Sequence, residues 1–171
     1  MLSGGSDATS SRPSSLTMTV LMTPDTANFS GNVHGGALLK ILDQVAYTCA
    51  SRYAGTYVVT RSVDRVLFRA AIHVGELVTF SASVNYTGST SMEIGIRVET
   101  ENIQERTLRH TNSSYFTMVA VDANGMPCTV EPLPLLTDLA KARFEAARRR
   151  RRAEKIALAS PHGIPPMSDE D

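Results

Sequence analysis

The sequence predicts an α+β fold: an antiparallel sheet of five to six strands wrapped around one long central helix, with a basic helix near the C-terminal end. Three observations carry this expectation. Leu38, Leu42, Val45, Ala46 and Cys49 recur at helical spacing, and Ala37, Leu39 and Ile41 widen that apolar stripe over most of the helix surface. Val78, Phe80, Ala82, Val84 and Tyr86 alternate strictly, as do Met92, Ile94, Ile96 and Val98 with Glu93, Gly95, Arg97 and Glu99, the pattern of strands with one dry and one wet face. A single buried helix followed by several long strands must pack as helix on sheet.

In chain order, residues 1–15 are rich in Gly, Ser and Thr and read as a disordered tail. They hold no apolar segment of the kind a secretion signal needs, and one arginine is few for a transit peptide. Leu16–Met22 is a first strand, closed at Thr23-Pro24-Asp25. A polar loop from Asn28 leads into the buried helix, which fades at Arg52 with Gly55 as its C-cap. Tyr57–Phe68, Leu77–Tyr86, the run from Met92, and Thr107–Val121 follow as strands. Val74-Gly75-Glu76, Gly88-Ser89-Thr90 and Asp122–Gly125 are the turns between or after them. After Pro132 and Pro134 a second helix runs to about Leu158, its stripe of Leu136, Leu139, Ala140, Phe144 and Ala147 only modest. The expected organisation is a tail (1–15), one domain (16–136), a basic helix (137–158) and a Pro-containing acidic tail (159–171).

Composition narrows the function classes. The chain has 171 residues, enough for one domain with a core, and no apolar run approaches the ~18 residues of a spanning helix. No membrane insertion is expected. Two scattered cysteines, Cys49 and Cys128, make no disulfide framework and fit packing roles in a reducing, cytoplasmic setting. The zero net charge hides an asymmetry: 138–155 holds eight basic and three acidic residues, so it carries +5 and the remainder −5. A solvated helix and an anion-binding face, for nucleic acid or a phosphorylated small molecule, both fit Arg148–Arg152. The absence of interleaved aromatics argues against nucleic acid. One helix cannot cover so wide a sheet and its edges need partners, so a homodimer with a continuous sheet is expected.

The chemistry concentrates where the loop meets the helix. Gly35 and Gly36 let a ligand approach the backbone, and the unpaired N–H groups of a helix start favour negative charge there, as an oxyanion site requires. Asp43 lies about 10 Å further along the helix axis, among apolar neighbours; burial would raise its pKa and suit it as a general base. A structural acceptor role for Asp43 is the competing reading. Asn28 offers an amide to orient water or a carbonyl, while Asn28 and Asn32 also fit Asx turns. His34 fits a capping or contact role and, standing alone, makes no metal site; no metal and no cofactor are expected. No Gly-x-Ser-x-Gly elbow, phosphate loop or dinucleotide fingerprint is present in the sequence.

These residues together resemble the hotdog-fold acyl-coenzyme A thioesterases. The resemblance runs from about Thr17 to Leu136: Asn28-x-x-Gly31-x-x-His34-Gly35-Gly36 with Asp43, then Ser62-Val63-Asp64-Arg65-Val66-Leu67-Phe68, Val74-Gly75-Glu76, and Tyr86 to Glu93. It implies hydrolysis of acyl-CoA to fatty acid and coenzyme A, with Asp43 as general base or nucleophile, Asn28 reaching it across a dimer interface, and Gly35 and Gly36 as oxyanion donors. It further implies substrate contacts at His34, Gly88, Ser89, Thr90 and Ser91, and a dimer, often a trimer of dimers. Two departures stand out: Arg69-Ala70-Ala71 where the family usually has a proline, and His34 where several relatives carry Phe. Arg148–Arg152 gain a further candidate role on the phosphates of coenzyme A. The alternative is a non-catalytic acyl-CoA-binding hotdog module, for which a base at Asp43 would be superfluous; a hotdog hydratase wants an Asp and His pair at another spacing.

Overall fold

The computed structural model describes residues 12–64 and 66–159. The chain forms two compact units that divide between Leu133 and Pro134. The first unit is the helix and sheet. Its strands are β1 (Ser15–Leu21), β2 (Tyr57–Val63), β3 (Leu77–Thr87), β4 (Ser91–Asn102) and β5 (Thr107–Val121), and its helix is α1 (Gly35–Ala54). The sheet is antiparallel throughout in the order β1-β3-β4-β5-β2, so β1 and β2 are the edges. The second unit holds α2 (Asp138–Ala159).

Helix α1 touches all five strands. Its buried face holds Leu38, Leu42, Val45, Ala46 and Cys49, the stripe expected from spacing, together with Ala50 and Tyr53, which spacing did not name, and it packs on Phe80, Ile94, Ile96, Phe116 and Met118 of the central strands. Gly55 ends the helix at φ 71°, in the left-handed region where a residue without Cβ is unstrained. Gly75 does the same for the turn before β3, at φ 88°.

Three expectations are corrected. The tail expected over 1–15 is ordered from Arg12 onward: the Arg12 guanidinium donates to the carbonyls of Tyr53 (3.2 Å) and Ala54 (2.9 Å), and Ser15 already belongs to β1. A cation on the last carbonyls of α1 meets the negative end of the helix dipole. The rest of that tail and most of the acidic one lie outside the described residues. Strand β2 stops at Val63 instead of Phe68. Beyond it the chain still follows β5, through Asp64 N to Tyr115 O (2.9 Å) and Arg69 N to Thr111 O (3.1 Å). Between them the side-chain Nδ2 of Asn112 donates to Leu67 O (2.8 Å), where a regular ladder would use a backbone N–H. Third, the wet face of β4 is dry at its start, where Glu93 is 2% exposed and Gly95 is buried. Cross-strand neighbours close over Gly95; a Cβ there would fall 2.2 Å from Asn85 Nδ2 and 3.3 Å from Tyr115 Cε1. Arg97, further along, is exposed as expected.

Candidate active site

The loop before α1 is built by its own side chains. Asn28 Oδ1 accepts from Ser30 N (2.9 Å) and Asn32 N (3.1 Å), an Asx arrangement that folds 28–32 back on itself. Gly31 sits at φ 77° inside it. His34 caps the helix: its Nδ1 accepts from Gly36 N at 2.9 Å, so this nitrogen carries a lone pair and not a proton. The cap occupies the Gly36 N–H, and the Gly35 backbone is what faces the neighbouring pocket.

That pocket has a volume of about 240 Å³. Asn28, Asn32 and Gly35 bring polar groups to it; Leu38, Phe68 and Ile72 are among its apolar lining. Its two walls are tied together by Val33 N to Ile72 O (2.7 Å) and by His73 Nδ1 donating to Asn32 Oδ1 (2.7 Å). Behind the 68–72 wall, Arg109 donates to Ala71 O (2.8 Å) and grips both oxygens of Glu76 (2.9 and 2.7 Å). Glu76 is 3% exposed. Burial pushes its pKa up, but the His73 N–H and the Arg109 guanidinium outweigh this and hold it below the ordinary value.

Asp43 is placed differently from the sequence expectation. It lies with Leu39 and Tyr47 on the outer face of α1, bordered by the edge strand β2, and is exposed in the single chain. The burial argued for it is therefore absent from the chain alone. Its Oδ1 accepts from Thr60 Oγ1 of edge strand β2 at 2.7 Å. Around this pair Leu39, Tyr47, Tyr57, Val59 and Val63 are exposed apolar residues, and Tyr47 and Tyr57 meet edge to face at 5.7 Å. Asp43 is not part of the pocket lining.

The turn Gly88–Ser91 is a tight β3–β4 hairpin, with Gly88 N bonded to Ser91 O (2.7 Å) and the carbonyls of Ser89 and Thr90 accepting from Val130 and Ala120 (both 2.9 Å). Ser91 pairs with Val119, which pairs in turn with Val59, next to Thr60. The hairpin and the Asp43–Thr60 pair thus share one end of the sheet. The pocket lies toward the other, and its Gly35 stands eight residues, about 12 Å of helix, before Asp43. One chain brings Asn28 with Gly35, and Asp43 with Thr60, but does not bring the two pairs together.

Three other sequence candidates are accounted for. Cys49 is buried, and burial, only partly opposed by Arg52, pushes its thiol up to about 11, so it is no nucleophile at neutral pH. Among the described residues no group of three or more His, Cys, Asp or Glu is placed to hold a metal ion. On α2, Lys141, Arg148, Arg149, Arg152 and Lys155 are exposed at helical spacing, a cationic stripe with Glu145 paired to Arg148 at 3.5 Å. Thr60 and Phe68 were not singled out from sequence. Thr60 is seventeen residues from Asp43 and only the strand edge brings it there.

A five-stranded antiparallel sheet wrapped on one long helix that opens at a glycine pair is the hotdog arrangement. Residues 30–107 match the thioesterase superfamily model. Protein VdlD of Helicobacter pylori is 49% identical over 136 residues, covering 80% of this chain and 78% of that one. An apo-hexameric acyl-CoA thioesterase superposes with a TM-score of 0.82 at 34% identity, covering 86% of this chain and 94% of the other. An acyl-CoA hydrolase from Staphylococcus aureus, solved with butyryl-CoA, coenzyme A and coenzyme A disulfide, gives 0.77 at 29% identity, covering 85% and 91%. In further structures of that enzyme an asparagine, an aspartate or a threonine is replaced by alanine. The chain belongs to the thioesterase superfamily, among its hotdog-fold acyl-CoA hydrolases.

Proposed function

We propose that the protein hydrolyses fatty acyl-CoA at a site composed from two copies, Asn28 and Gly35 of one facing Asp43 and Thr60 of the other. The observation that carries this reading is the separation of the two pairs in a single chain, with Asp43 exposed amid apolar side chains on an uncovered face. A second copy laid along β2 would cover that face, extend the sheet, and desolvate Asp43. The hexameric thioesterase among the similar structures supports an oligomer, and a trimer of such dimers is the assembly we favour.

In this site the acyl carbonyl lies at the start of α1, where the Gly35 N–H and the helix dipole stabilise the oxyanion. Asp43 removes a proton from water as the water oxygen bonds to the carbonyl carbon. Collapse of the tetrahedral intermediate breaks the C–S bond, and the proton passes to the departing coenzyme A thiolate. Direct attack by Asp43, through a mixed anhydride that water then opens, uses the same groups. Asn28 orients the water or the carbonyl, and Thr60 positions Asp43 by donating to Oδ1. The Gly88–Ser91 hairpin, on the Asp43 side, follows the pantetheine, with Thr90 and Ser91 as its closest contacts and His34 at the acyl end. The chemistry draws on side chains and water, with coenzyme A present as part of the substrate. Two free cysteines suit the cytoplasm.

Thiol release from purified protein and a panel of acyl-CoAs tests the activity. Mixing tests the composite site: Asp43→Asn and Asn28→Ala are each inactive alone, and co-assembled they regain turnover because some interfaces hold one intact site. No recovery on verified co-assembly would show that both groups act within one chain. Binding of acyl-CoA without turnover in the wild type would instead favour a binding module.

A further inference from the structure

We infer that the 240 Å³ pocket holds the acyl chain and limits it to short and medium lengths, with Phe68 and Ala71 setting the limit. This rests on the hydrolase reading and specifies its substrate class. Polar side chains line the pocket from the loop, at Asn28 and Asn32, next to the Gly35 backbone; the 68–72 wall contributes the apolar side chains of Phe68, Ala70, Ala71 and Ile72. A carbonyl held at Gly35 therefore directs its hydrocarbon toward the apolar wall, whose side chains offer no partner to the amides of a pantetheine arm.

Size then sets the class. An apolar cavity of ~150 Å³ takes a benzene, six carbons, so by proportion this pocket takes roughly ten. The wall is not free to retreat. Ile72 O is held by Val33, Ala71 O by Arg109, and Arg109 is locked on the buried Glu76. His73 and Asn32 close the adjoining corner. An anchored wall answers an oversized chain by excluding it. Ala70 and Ala71 are the small residues of this wall, and Ala71 is the one whose carbonyl Arg109 holds, so a larger side chain at Ala71 subtracts volume directly. Phe68, whose ring would lie 3.7 Å from a Cβ at Gly35, fills space beside the helix start, and its removal adds volume.

The experiment is a kcat/KM profile for butyryl- to palmitoyl-CoA, each below its micelle-forming concentration, for the wild type, Ala71→Phe and Phe68→Ala. The wild type should rise toward octanoyl or decanoyl and fall about ten-fold or more at palmitoyl. Ala71→Phe should lower the decanoyl-to-butyryl ratio by about ten-fold, and Phe68→Ala should raise the palmitoyl-to-decanoyl ratio by a similar factor. Opposite movements of two ratios do not arise from general damage; if Ala71→Phe fails to fold, Ala71→Val makes the same test with a smaller shift. Palmitoyl used as well as decanoyl by the wild type, or ratios indifferent to both changes, overturns the pocket assignment while leaving the hydrolase reading standing. Absence of thiol release with every chain length overturns that reading, and this inference with it.

Discussion

The two faces of α1 are made of similar residues and have different fates. The inward face, Leu38, Leu42, Val45, Ala46, Cys49, Ala50 and Tyr53, is finished by the chain's own sheet. The outward face carries Leu39, Asp43 and Tyr47 beside the equally open Tyr57, Val59 and Val63 of β2, and nothing among the described residues of the first unit finishes it. Apolar surface left uncovered around a hydrogen-bonded carboxylate sets an inner face that serves folding against an outer one that, in the proposed function, serves assembly and chemistry. Changes on one face should therefore move stability and spare the mechanism, and changes on the other should do the reverse.

The largest effect belongs to the inner side: Phe116→Ala, removing a 1%-exposed ring from beneath the helix, should cost about 4 kcal/mol in denaturant unfolding. An unfolding midpoint unchanged by that substitution would break the division. Next comes Asp43→Asn, expected to reduce kcat/KM by about 100-fold or more, roughly 2.7 kcal/mol of barrier, with the melting temperature held or raised. A variant that melts early instead would make Asp43 a structural acceptor.

Third, Glu76→Gln should destabilise by about 2 kcal/mol, the Arg109 partner being partly exposed. The sign of its pH dependence is fixed. Glu76 has a folded pKa below its ordinary 4.5, so the carboxylate's contribution is complete above that value and is lost as pH falls through the lower folded one. Melting curves of wild type and Glu76→Gln should separate at neutral pH and converge in acid. The smallest effect is Thr60→Val, expected to lower kcat about ten-fold with KM little changed and to be rescued by Thr60→Ser, since only the hydroxyl positions Asp43. Equal activity of Val and Ser variants would mean the hydroxyl positions nothing.

Local periodicity made the inner face and the strands legible. Spacing alone named Leu38, Leu42, Val45, Ala46 and Cys49 as buried on α1, though not Ala50 and Tyr53, and Gly55 was read as its cap because a helix end is a local event. Long-range features were not legible. Residues 64–68 keep the composition of a strand, yet Asn112, forty-five positions from Leu67, replaces a ladder bond with its amide. Glu93 looked wet because alternation ignores what neighbouring strands lay over Gly95. The apolar company of Asp43 in sequence implied burial, but three of four sides of a helix can be apolar while only one meets the chain's own sheet. For the proposed site, Asn28, Gly35 and Asp43 could be nominated by residue type, whereas the Thr60 bond to Asp43 and the His34 cap on Gly36 needed coordinates.

Cys49 has a practical consequence. The residue is 1% exposed against the sheet and its thiol resists ionisation, so an alkylating reagent reaches it only when α1 lifts away. The half-buried Cys128 supplies the fast-reacting background. The rate at which the second thiol is modified is then a clock for the opening of the central helix. Read with and without a saturating acyl-CoA, it reports how much the ligand tightens the whole fold.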